Sequence, residues 1–214
     1  YDKQGHGLSE QSTKSPSISQ YADDLIALIS LLAINQVIPV GLSIGGLIAQ
    51  ELYRKRPDMV EKLVLTNTAT VIGSRDSWNQ RIQAVERNGL ASISDLILSR
   101  WFGSGFADNN PDRLAIARAI LLQTPNSGYM AACQALSNAD LTAYAPNIEV
   151  PTLCIAGADD QATPSDVVIA MANLIPKSEF YELSGVGHIP CLEAEQEFSQ
   201  VILNFLGKSA GADS

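Results

Sequence analysis

Apolar residues recur along this chain in two alternating rhythms. Over 20–34, Ala22, Leu25, Ile26, Ile29, Leu32 and Ala33 fall at the spacing of one helix face, with Asp23 and Asp24 near the start, where the helix dipole favours acids. The next run, Gln36 to Leu42, is short and β-rich and leads straight into Ser43. A helix is predicted from about Gly45 to Arg56: its cationic end Arg54-Lys55-Arg56 suits the dipole, and Pro57-Asp58 stop it. KLVLTN (62–67), PTLCIA (151–156) and Ser178 to Leu183 read as three further strands. A helix opening on Pro164 runs to Leu174, and a final helix buries Phe198, Val201, Ile202, Phe205 and Leu206. Strands alternating with helices predict an α/β chain with a mostly parallel sheet covered on both faces.

One block breaks the rhythm. Residues 71–145 are helix-patterned (Ile82, Val85, Leu90; Ile93, Leu96, Ile97; Leu114, Ala117, Ile120, Leu121) and hold no convincing strand. The block lies between the second and third strands, so it is expected to form a helical lid beside the carboxyl ends of the sheet. The alternative is a separate helical domain. The chain then divides into a first core part (1–70), the lid (71–145), a second core part (146–208) and a frayed tail (209–214).

Charge sharpens this picture. Of the net −9, none belongs to 71–141, where six arginines (75, 81, 87, 100, 113, 118) balance six acids and no lysine occurs. Solvated helix faces explain this most simply. The sharper reading is that a lid arginine meets a carboxylate on the substrate, which its planar fork suits. An acidic chain is a poor partner for nucleic acid or anionic membrane. Cys133, Cys154 and Cys191 have no metal-type spacing, so reduced thiols in a cytoplasmic protein are expected, with no metal.

Gly41-Leu42-Ser43-Ile44-Gly45 has the G-x-S-x-G form of a nucleophile elbow, between an apolar strand and a helix. Glycines on either side of the serine suit a turn too sharp for side-chain bulk, and the Ile44 amide is placed to donate to an oxyanion. Serine needs a base held by an acid. His188, after the fourth strand, follows the serine; His6 precedes it, in a tight Gly5-His6-Gly7 turn that accounts for it without catalysis. Asp159 and Asp160 both follow the third strand, and spacing does not choose between them. His188 is expected within hydrogen-bond reach of Ser43 Oγ and of the acid.

On these residues the chain resembles the α/β-hydrolase superfamily along its length: YDKQGHGLSE at the start, GLSIGGLIAQEL at the elbow, PTLCIAGADDQATP at the acid and GVGHIPCLEAEQEF at the histidine. SRWFGSGF (99–106) and TPNSGYMAACQAL (124–136) further resemble the lid of 3-oxoadipate enol-lactonases. The resemblance selects Asp160 by its Gly-x-x-Asp pattern, and implies a cofactor-free serine hydrolase that opens a small enol-lactone in aromatic catabolism. Its triad would be Ser43, Asp160 and His188, with Ile44 in the oxyanion hole and Trp101 and Arg100 toward the substrate. A carboxylesterase, thioesterase or carbon–carbon bond hydrolase of the same fold is the alternative, with a non-catalytic small-molecule receptor behind it. Two departures stand out: Gln4 replaces the family's usual arginine, and Pro39 interrupts a strand that reads as buried on both faces. The family's early strands, and the loop giving a second oxyanion donor, have no counterpart here. The elbow strand is therefore expected to be unpaired along one side, awaiting an N-terminal segment of the same fold.

Overall fold

The computed structural model describes residues 1–11 and 16–208; the predicted tail beyond 208 lies outside the described residues. A first helix, α1 (Ile18–Leu31), is capped by Ser17 Oγ, which accepts the Gln20 amide at 3.1 Å. Strand β1 (Val40–Leu42) runs into α2 (Ile44–Lys55), and β2 (Leu63–Thr66) follows. Between β2 and the next strand come α3 (Arg75–Asn88), α4 (Ser94–Trp101), α5 (Phe106–Asn109), α6 (Pro111–Gln123) and α7 (Asn126–Ser137). The chain then closes with β3 (Thr152–Gly157), α8 (Ser165–Leu174), β4 (Ser178–Leu183), α9 (Pro190–Glu193) and α10 (Glu195–Gly207).

The strands form a parallel sheet in the order β1-β2-β3-β4. Period-two alternation splits its apolar residues between two cores. Leu63, Leu65, Cys154 and Ala156 face α1, α2 and α8; Val64, Leu153 and Ile155 face Phe198 and Phe205 of α10. A third cluster joins Tyr21 of α1 and Leu47 of α2 to Ala135 and Leu136 of α7, so the inserted block is seated on the α1–α2 helix layer. Among the described residues, no helix is long and apolar enough to cross a membrane.

β1 is shorter than Gln36 to Leu42, and as expected it is paired along one side only, with β2, among the described residues; Val40 is 53% exposed there. Pro39 sits just outside it and gives only its carbonyl, which accepts the Val64 amide at 3.0 Å, so its missing donor costs the described ladder nothing. Gln4 donates to Asp24 Oδ2 at 2.6 Å, tying the N-terminal turn to α1, while its buried Oε1 finds no partner among the described residues.

Candidate active site

Because all the strands run parallel, their carboxyl ends share one edge of the sheet, and each carries a polar side chain there. Ser43 follows β1, Asn67 follows β2, Asp160 follows β3 and His188 follows β4.

Ser43 has φ 57° and ψ −121°, a conformation costing about 1–3 kcal/mol in a non-glycine residue. Backbone bonds to β2 and its following loop hold it there: its amide donates to Thr66 O at 3.0 Å, and its carbonyl accepts from Thr68 Oγ1 at 2.7 Å. Close packing explains two of the elbow's glycines. A Cβ at Gly41 would meet Gly45 O at 2.4 Å, and one at Gly46 would meet the Thr68 side chain at 2.4 Å. Gly45 is different: a Cβ there would have nothing within 4 Å, so the motif's second glycine has no steric cause among the described residues. Ser43 sits at the N-cap of α2 without a side-chain capping bond. The Ile44 amide opens that helix, where N–H groups lack intrahelical acceptors.

The buried His188 ring is fixed from its Nδ1 side, which bonds Asp160 Oδ2 at 2.7 Å. Asp160 also accepts from Asn67 Nδ2 at 2.9 Å, Thr163 Oγ1 at 2.7 Å and the Ala162 and Thr163 amides at 2.7 and 3.0 Å. Burial pushes its carboxyl up, but the bonds from His188, Asn67 and Thr163 outweigh this and hold it below the ordinary aspartate range. Asp159, the other acid at this position, turns away and accepts the Ser104 amide at 3.1 Å. Ser43 and His188 line one cavity of about 480 Å³. The expected bond between Ser43 Oγ and the ring is not formed, although both residues line this cavity.

Trp101 lines the same cavity, its ring centroid 6.3 Å from that of His188 at 26° between planes. Arg100 also lines it, but its guanidinium donates to Gln161 O at 2.7 Å. Arg113 and Arg118 are paired with Glu195 and Asp95. Arg81, which the sequence did not single out, reaches the cavity from α3. His6 stays in its turn, Nδ1–H donating to Gln4 O at 3.2 Å, yet it too faces the cavity; burial, then Lys3, pulls its pKa down to about 4, so it is neutral.

Two further residues hold the site together. Buried Asn67, at φ 47°, donates to both Asp160 and Gly187 O (3.0 Å), bridging the acid and histidine loops. Glu193 accepts the amides of Gly103 (2.7 Å), Gly187 (3.1 Å) and Ile189 (3.3 Å), joining the end of α4 to the histidine loop. Asn67 ends a strand that the sequence marked, so its place beside the other strand ends was the available signal. Glu193 had none.

A strained serine at a strand–helix turn beside an Asp-held histidine is hydrolase geometry, and comparison with known proteins agrees. The family described as serine aminopeptidase, S33 (Hydrolase_4) matches residues 1–195. The chain belongs to this family of α/β hydrolases. It is 32% identical over 203 residues to 3-oxoadipate enol-lactonase 2 of Acinetobacter baylyi, covering 94% of this chain and 75% of that protein. It is 30% identical to a pimeloyl-acyl-carrier protein methyl ester esterase of Chromobacterium violaceum, covering 98% and 83%. The crystal structure of the enol-lactonase from Burkholderia xenovorans LB400 superposes with a TM-score of 0.94 at 33% identity, covering 97% of this hydrolase and 80% of that chain.

Proposed function

We propose that this hydrolase opens a small enol-lactone of the 3-oxoadipate type through an acyl-enzyme on Ser43. The observation that carries the reading is the strained Ser43 sharing a cavity with a histidine whose Nδ1 is held at 2.7 Å by a buried carboxylate. Likeness to two named enol-lactonases, one curated and one solved, supports the substrate class.

In this scheme His188 Nε2 takes the Ser43 proton as Oγ attacks the lactone carbonyl, and Asp160 stabilises the imidazolium. The Ile44 amide, at the positive end of α2, donates to the oxyanion; such a donor is worth roughly 3–4 kcal/mol of barrier. Collapse of the tetrahedral intermediate breaks the ring C–O bond and expels an enolate, a better leaving group than an alkoxide. The enolate takes the proton from the His188 imidazolium. His188, neutral again, then takes a proton from water as the water oxygen attacks the acyl carbon, and returns it to Ser43 Oγ as the acyl–oxygen bond breaks.

The test is kcat/KM on a panel of enol-lactones, saturated lactones, methyl esters and thioesters, alongside mass analysis after a fluorophosphonate probe. Enol-lactones should lead the panel and the probe should modify Ser43. A methyl ester or thioester in first place would replace the substrate class, and absence of label on Ser43 would end the covalent mechanism.

A further inference from the structure

The cavity that Ser43 and His188 share has a cationic wall. Arg81 enters from α3, its guanidinium carbon 5.0 Å from the Trp78 ring centroid and Nη1 donating to Tyr129 Oη at 3.3 Å. Lys3 enters from the N-terminal turn. Both lie within electrostatic reach of one group, the Cys133 thiol on α7. Neither makes an ion pair among the described residues, unlike Arg113 and Arg118.

The groups around them supply no negative charge inside the cavity. Burial pushes Tyr129 up to about 12 and Cys133 up to about 11, so both are neutral, as is His6. The acid that acts on Lys3 is Asp2, whose carboxylate accepts the exposed Leu8 amide at 3.0 Å. Two unpaired cations facing a mostly apolar space with no acid among its lining residues are costly to keep there without an anion.

We propose that Lys3 and Arg81 form a carboxylate-binding pocket, which takes an acid group borne by the substrate at the end remote from Ser43. This rests on the serine-hydrolase reading for its catalytic meaning, and it gives that reading its selectivity: a lactone or ester with a free carboxylate over its neutral analogue. Arginine supplies the planar fork and lysine a point charge. Arg100, tied to the Gln161 carbonyl, is not needed.

The pocket has a pH signature. Burial, only partly offset by Asp2 and Cys133, pulls the Lys3 ammonium down to about 8. The charge that holds the anion is therefore present below about 8 and lost as the pH rises through that value. An arginine at the same place would stay charged.

The experiment uses Ser43→Ala as a background and measures binding of adipate and of dimethyl adipate by calorimetry, so no turnover is required. Adipate should bind more tightly than its diester, and its affinity should fall as the pH is raised through about 8. Adding Lys3→Met or Arg81→Gln should weaken adipate about tenfold or more, and far more than the diester. Lys3→Arg should keep the affinity and flatten the pH profile, which also guards against a Lys3→Met variant that fails to fold. Equal affinity for acid and diester, or a pH profile unchanged by Lys3→Arg, would overturn the pocket. Failure of Ser43 to react with a fluorophosphonate would instead overturn the hydrolase mechanism and leave the binding result standing.

Discussion

The His188 amide donates to the Trp101 carbonyl across 2.6 Å, so the histidine and the tryptophan beside it are joined through backbone. Gly187 makes this approach possible, since a Cβ there would lie 2.6 Å from that same carbonyl. Glu193 completes the clamp from below, through Gly103 on one side and Gly187 and Ile189 on the other. Glu193→Gln removes one acceptor oxygen and turns an N–H₂ toward backbone donors. The variant is expected to lose about 10–100-fold in kcat, since a shift of about 1 Å in the base is enough for that, with a smaller change in KM. Faster hydrogen exchange at Gly187 and Ile189 would accompany it; a kcat equal to the parent's would show that the clamp does not position the ring.

Ser43→Ala, His188→Ala and Asp160→Asn should each lower kcat by about a thousandfold or more, and pairs should cost little beyond the worst single change, because the residues act as a unit. Asp159→Asn should be mild, since that carboxylate only receives the Ser104 amide. Steady-state kinetics on any good substrate decides this. A damaging Asp159→Asn with a harmless Asp160→Asn would reverse the assignment.

The Asp160 carboxyl titrates below its ordinary 3.8 because its hydrogen bonds outweigh burial. A group lowered in the folded state lends stability above its unfolded pKa, and that stability is lost as the pH falls through the folded value. Unfolding of the parent and of Asp160→Asn should therefore differ near neutrality, with the gap closing as the pH drops below about 3.8. A gap that widens on acidification would contradict the hydrogen-bonded state described for this group.

The elbow glycines separate by substitution. Gly46→Ala must displace Thr68, whose hydroxyl holds the Ser43 carbonyl, and is expected to destabilise the protein and slow the reaction. Gly45→Ala meets open space in a helix and should raise stability by about 0.5–1 kcal/mol. Thermal unfolding of the two variants tests both signs.

At the N-terminal turn, Gln4 offers Asp24 one bond and leaves Oε1 buried without a partner among the described residues. Gln4→Arg replaces that orphan acceptor with further donors toward the same carboxylate. Melting temperature should rise by a few degrees, about 1 kcal/mol of stability; a fall would mean the guanidinium does not fit.

Strands and the residues at their ends were legible in the sequence because a parallel sheet announces itself through short apolar runs between helices, and its chemistry gathers where those runs stop. Ser43 and His188 could be named as candidates for that reason, while Asp160 was chosen over Asp159 only through the family's Gly-x-x-Asp pattern. Asn67, Glu193, Lys3 and Arg81 could not be assigned roles. Asn67 meets Gly187 across 120 positions and Gly103 meets Glu193 across 90, contacts set by how loops fold back rather than by any local pattern. Arg100 was singled out over Arg81 by its neighbour Trp101, but only the packing of α4 reveals that its guanidinium is engaged by Gln161. The unpaired side of β1 was legible for the opposite reason: its composition is that of an interior strand, and the sequence offered it no second neighbour.

Gly128 of α7 and Gly5 of the N-terminal turn touch so closely that a Cβ on Gly128 would fall 2.0 Å from the Gly5 carbonyl oxygen. Lys3 comes from one of these segments, and Tyr129 and Cys133 from the other. The span of the cavity at this end is therefore gauged by main chain against main chain, with no side chain left to trim. A lineage that needed a wider chamber could not reach it by shaving a residue here; it would have to enlarge Gly128, lever the whole turn outward, and carry Lys3 away with it.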